Sequence, residues 1–122
     1  MNIKKGKQEK LELGNLDSTR DWGHAKDYVK VMWQLLQMEH PGDYVCATGI
    51  SHSVRTFCEK TFSKLGMNYE DYVVQNPKFF RPTELVDLKG CTKKLENAID
   101  LELQYDLDSM IDEMIEYWME KI

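Results

Sequence analysis

No apolar run in the 122 residues approaches the roughly 20 needed to span a bilayer, so a membrane-embedded chain is not expected. The start, Met1-Asn2-Ile3-Lys4-Lys5, also has no apolar leader. Cysteine is scarce: Cys46, Cys58 and Cys91 are odd in number and form no Cys-x-x-Cys pair. That argues against a disulfide framework or a zinc knuckle and fits a reduced, cytoplasmic setting. His40 and His52 have no metal-ligand spacing with each other or with the cysteines, so no metal is expected. The seven glycines never fall as Gly-x-Gly-x-x-Gly or Gly-x-x-Gly-x-x-Gly, and no dinucleotide-binding turn is expected from this chain alone. A basic excess is missing as well: the net charge is -5, which disfavours nucleic acid as a partner.

The chain that remains has 42% hydrophobic and 30% charged residues, long enough for one domain over residues 1–122. Its charge is uneven, with Lys4, Lys5, Lys7 and Lys10 at the front and an acidic stretch from Glu96 to Glu120 that reads as a solvated helix face. Alternation over Lys10–Leu13 before Gly14-Asn15 predicts a short strand and a turn. From His24 to about Met38, the positions Ala25, Tyr28, Val29, Met32, Leu35 and Leu36 mark one face of a helix. Tyr44–Thr48, bounded by turn residues, reads as a buried strand. Ser53 caps a second helix, with a stripe from Val54 to Leu65 and a stop at Gly66. Tyr72–Gln75 reads as another strand. Asp106 opens a third main helix whose apolar face runs from Leu107 to Ile122 and includes Met110, Met114 and Met119, a core or subunit interface. The alternation of strands and helices predicts an α/β layer arrangement.

Two arginines carry the chemistry. A diphosphate needs concentrated positive charge with directional donors, and the planar guanidinium grips two phosphate oxygens at once. Arg20 lies just before a helix start; Arg81 precedes Pro82 and is held extended, so that it can point at a ligand while Phe80 packs. Glu84 can accept hydrogen bonds from ribose hydroxyls. Taken one by one, the same residues also read as surface ion pairs of little energetic value, with Asp17 and Asp21 beside Arg20 and Glu84 beside Arg81. His24 reads as a structural histidine at a helix start.

The run from Leu13 to Val29, with Arg20-Asp21-Trp22-Gly23-His24-Ala25-Lys26-Asp27-Tyr28 at its centre, resembles the corresponding segment of GDP-mannose 4,6-dehydratases. Ala47-Thr48-Gly49, His52-Ser53-Val54-Arg55 and Phe80-Arg81-Pro82-Thr83-Glu84 follow in the family's order. The resemblance implies the C-terminal, substrate-binding portion of an extended short-chain dehydrogenase/reductase fold, without the Rossmann half. It also implies NADP as the full-length family's cofactor, none being expected on this chain alone, and GDP-mannose as substrate for conversion to GDP-4-keto-6-deoxymannose. Arg20 and Arg81 would meet the diphosphate and Glu84 the ribose. The family's glycine-rich loop and its catalytic Thr/Ser, Glu, Tyr and Lys precede the segment with which the chain begins, so no catalytic residue is expected here. A C-terminal fragment of a longer gene, a split half partnered by a chain carrying the Rossmann half, or a remnant that has become a protein-binding module docking on an intact dehydratase is the expectation that follows. Leu101-Glu102-Leu103 stands where the family has a Gly-Trp-x-Pro-like sequence.

Overall fold

The computed structural model describes residues 1–122 and opens on a strand of the expected kind: β1, Leu11–Leu13, turns Leu11 and Leu13 inward and Glu12 out. It pairs in parallel with β4, Val73–Gln75, in the register Leu11 to Val73 and Leu13 to Gln75. Three further strands have only two residues each: β2, Thr19–Arg20, β3, His52–Ser53, and β5, Asp87–Leu88. They form a second sheet in the order β3-β2-β5, with β2 antiparallel to β3 and parallel to β5.

The three long helices start where their capping residues stand. Helix α1, Ala25–Leu36, is capped by His24, whose ring accepts from the Lys26 amide. Helix α2, Val54–Lys64, is capped by Ser53, whose hydroxyl accepts from Thr56. The last helix, α4, Leu107–Lys121, opens on a reciprocal capping box between Asp106 and Ser109, which satisfies backbone donors that the first turn leaves free. A shorter helix that the periodicity does not signal, α3, Lys93–Ala98, precedes it.

The core lies between the two-stranded sheet and α2, where Leu16, Cys58, Phe62 and Val73 are buried together. Tyr72 stacks on Phe62 with ring centroids 5.7 Å apart. Ile111 on α4 and Leu95 on α3 are fully buried, and Lys60 and Lys64 of α2 reach Asp108 and Asp112 of α4 at 2.8 and 2.7 Å. Part of the acidic stretch is therefore paired to α2, and Glu113 is paired to His24 and Lys26 at the start of α1.

Three expectations need correction. Tyr44–Thr48 makes no ladder; its amides at Thr48 and Gly49 are taken by a carboxylate instead, so extended backbone is held without a neighbouring strand. On α1 the buried positions are Asp27 and Val31, whereas Val29, Met32 and Leu36 are 59%, 58% and 82% exposed, and Trp33 63%. The apolar stripe exists, but it faces away from this chain's core. Phe80, expected to pack, is 45% exposed.

Candidate functional site

The second sheet brings the two arginine motifs side by side. Thr19 on the central strand β2 donates its amide to Val86 O at 2.8 Å, and the ladder then runs Thr19 to Asp87 and Arg20 to Leu88. The Thr19 hydroxyl also donates to the Asp87 carboxylate. That bond comes first among the causes that hold the Asp87 carboxyl below its ordinary value, followed by one from Ser51. The Phe80–Glu84 segment is thereby tethered at its C-terminal end to the strand that carries Arg20.

Arg20 itself is held by main-chain oxygens. Its Nη1 donates to Thr19 O at 2.7 Å and to Leu85 O at 2.8 Å, while Nη2 lies 4.0 Å from Glu84 Oε1. Carbonyls fix the head group without neutralising it, and the one carboxylate stands at the limit of an ion pair, where the attraction is weak. The guanidinium therefore keeps its charge and several of its five donors for a ligand. A cavity of about 500 Å³ opens beside it, and Asp21, Trp22, Lys89 and Cys91 are among its walls.

Arg20 and Glu84 are thus brought together. Arg81 lies on the exposed surface of the same segment and makes no ion pair or hydrogen bond within the chain. It does not line the cavity beside Arg20; Lys89 is the second cation there. His52, directly across the antiparallel ladder from Arg20, lines a separate cleft with Trp22 and Tyr105.

Asp21 braces this region, and sequence reasoning missed it. Its carboxylate accepts from Thr48 N at 3.0 Å, Thr48 Oγ1 at 2.5 Å, Gly49 N at 2.9 Å and Gly90 N at 3.2 Å. Partial burial works against its charge, but the hydrogen bonds from Thr48, Gly90 and Gly49 together outweigh it and hold the carboxyl below its ordinary value. The only signal in the sequence was an aspartate next to Arg20, which reads equally well as an ion-pair partner.

Gly90 is closely confined: a Cβ there would fall 2.2 Å from the Ala47 Cβ and 3.3 Å from a Val45 methyl. Gly90→Ala is therefore expected to cost about 1 to 3 kcal/mol through overpacking. Chemical denaturation against the parent would read it, and an unchanged midpoint would show that the two segments part freely.

His24 behaves as a structural histidine. Its Nδ1 accepts from Lys26 N, its Nε2 meets Glu113 Oε2 at 3.1 Å, and its ring stacks on Tyr105 at 3.9 Å. Lys26 Nζ joins Glu113 at 2.6 Å, the first cause of the depressed Glu113 carboxyl. No group of three or more His, Cys, Asp or Glu side chains could hold a metal ion, and no helix is long and apolar enough to cross a membrane. At the N-termini of the three long helices one amide each is taken by the His24, Ser53 and Asp106 side chains.

The family model described as GDP-mannose 4,6 dehydratase matches residues 1–114. GDP-mannose 4,6 dehydratase 1 of Arabidopsis thaliana is 41% identical over 114 residues, which cover 93% of this chain and 32% of that protein. GDP-mannose 4,6-dehydratase of Sinorhizobium fredii is 40% identical over 130 residues, covering 93% and 37%. The chain thus spans about a third of the length of the curated relatives it matches. Among solved structures, RMD from Pseudomonas aeruginosa, complexed with NADPH, superposes with a TM-score of 0.87 at 20% identity over 99% of this chain and 40% of its own. The dTDP-glucose 4,6-dehydratase of Bacillus anthracis, complexed with NAD, gives 0.79 at 20% identity over 98% and 36%.

Proposed function

The chain belongs to the GDP-mannose 4,6-dehydratase family, and from that membership we propose that its 122 residues form the substrate-binding unit of such an enzyme. In this reading Arg20 and Arg81 hold the diphosphate of GDP-mannose, with Glu84 at the ribose. The observation that carries it is the β2 to β5 pairing, which sets Arg20 against the Phe80–Glu84 segment while anchoring its head group on carbonyls rather than carboxylates. A positioned guanidinium with donors left free beside a cavity is what a diphosphate requires.

On this proposal, oxidation, water loss and reduction at the sugar use NADP, and the remaining two-thirds of the fold supplies the cofactor site and the catalytic groups. A separate chain carrying that Rossmann half is the proposed protein partner, in the cytoplasm. The outward stripe of α1, Val29, Met32, Trp33 and Leu36, supports such a partner, because an apolar face at helical spacing is otherwise left in water.

Calorimetric titration of GDP-mannose into the purified chain tests the proposal. Binding is expected, and an Arg20→Ala, Arg81→Ala double variant is expected to weaken it by ten- to a hundredfold or more, since each lost charge-assisted hydrogen bond costs about 1.5 to 3 kcal/mol. Equal affinity in a folded double variant would refute the assignment of these arginines.

A further inference from the structure

The cavity beside Arg20 has a second cation that belongs to neither arginine motif. Lys89 follows Leu88, which pairs with Arg20 in the β2 to β5 ladder, and precedes Gly90, whose amide donates to Asp21 at 3.2 Å. Gly90 is packed against the neighbouring segment so closely that an added Cβ would fall 2.2 Å from the Ala47 Cβ. The backbone is thus held on both sides of Lys89. Only the rotamers of its own side chain remain to be ordered when the ammonium takes a ligand.

Its charge is unspent. Lys89 is exposed at the cavity wall, and none of the ion pairs within the chain uses its ammonium. The carboxylates nearby are engaged with other donors. Asp21 accepts from Thr48, Gly49 and Gly90. Asp87 is held low first by the Thr19 hydroxyl, then by Ser51, and behind these by the charges of Lys89 and Arg20. Lys89 and Arg20 therefore act on one carboxylate from the same neighbourhood, and neither is hydrogen-bonded to it.

The diphosphate of a nucleotide sugar carries two negative charges, and taking it out of water beside a single guanidinium leaves one of them uncompensated. Arg20 also gives Nη1 to the Thr19 and Leu85 carbonyls, and Arg81 does not line the cavity. We infer that Lys89 supplies the second charge inside the cavity, its ammonium meeting one phosphate while Arg20 grips the other and Arg81 approaches from the open side. A lysine suits that place, because three donors on a flexible stem can follow the phosphate oxygens without the fixed fork that a guanidinium imposes. The inference deepens the nucleotide-sugar reading and rests on it for the identity of the ligand.

The test is calorimetric titration of the chain with two probes, GDP-mannose and inorganic pyrophosphate, the second having the diphosphate but neither nucleoside nor sugar. Lys89→Met is expected to weaken both by about tenfold or more, the loss of one charge-assisted hydrogen bond. Its Tm should stay within about 3 °C of the parent, because the side chain is exposed and has no ionic partner in the chain. Lys93→Met removes the same charge from an exposed position outside the cavity and is expected to change either affinity less than twofold. Equal effects of the two substitutions would overturn the inference, as would a fall in the Tm of Lys89→Met large enough to mark a structural role. GDP-mannose binding that needs Arg20 but not Lys89 would sink the Lys89 assignment alone. Pyrophosphate binding that needs Lys89, in a chain that ignores GDP-mannose, would sink the nucleotide-sugar reading and leave the phosphate-binding lysine in place. A folded chain that binds neither probe would overturn both.

Discussion

Asp21→Ala is expected to destabilise the chain by about 2 to 4 kcal/mol, because it strips one acceptor from four donors at once. The Thr48 amide and hydroxyl and the Gly49 and Gly90 amides all converge on this carboxylate; the three amides belong to no sheet or helix that could satisfy them otherwise, and only the hydroxyl has a second acceptor, Ile50 O at 3.1 Å. Asp21→Asn is expected to be nearly as costly, since its amide group would turn donors toward donors. The effect has a definite pH dependence. The folded-state carboxyl titrates below its ordinary value, so its contribution is complete above about pH 4, where the unfolded group is also ionised, and is lost as pH falls through the folded value. Thermal unfolding of parent and variant should therefore differ most above pH 5 and converge as pH falls below the ordinary carboxylate range. A difference that stays constant on acidification would show that the carboxylate's charge is not what joins the segments.

Asp27→Ala should be of similar size by a different route. Asp27 is 3% exposed in the first turn of α1, and its two oxygens accept from Gln104 N at 3.0 Å and Tyr105 N at 3.1 Å. Those bonds fasten the irregular stretch between α3 and α4 to α1, where the ladder-free backbone has few other partners. Removing the carboxylate leaves two donors unpaired beside a buried methyl, at about 2 to 4 kcal/mol. Hydrogen exchange should localise the damage: the Gln104 and Tyr105 amides are expected to lose protection, and the Thr48, Gly49 and Gly90 amides to keep theirs. The two aspartates brace separate regions with no shared donor, so their costs should add in a double variant. Uniform loss of protection in Asp27→Ala would instead mark a single global role.

The contrast between these carboxylates and the helices shows what was legible in the sequence. Ser53, Asp106 and His24 act on amides two or three residues away, so their helices could be read from local order alone. The strands β2, β3 and β5 could not, because two-residue ladders are defined only by partners tens of residues distant. The period of α1 was readable, but not which face would find cover: Val29, Met32 and Leu36 are spaced like core residues and lie in solvent, while an aspartate is buried. Asp21 and Asp27 escaped notice for one physical reason. A carboxylate that gathers backbone amides leaves no periodic trace, and on composition alone it reads as a surface charge. At the site, Arg20 stands 4.0 Å from Glu84, whereas Lys89 lines the cavity that Arg81 does not, an arrangement set by the β2 to β5 register.

The most direct measurement is an amide chemical-shift titration of the isotopically labelled chain with GDP-mannose. Shifts confined to Thr19–Trp22, Arg81–Leu85 and Leu88–Cys91 are expected, with the residues of α2 and α4 unmoved. A well-dispersed spectrum that does not respond, or one that responds only along α1 or α4, would contradict a nucleotide-sugar site built on Arg20.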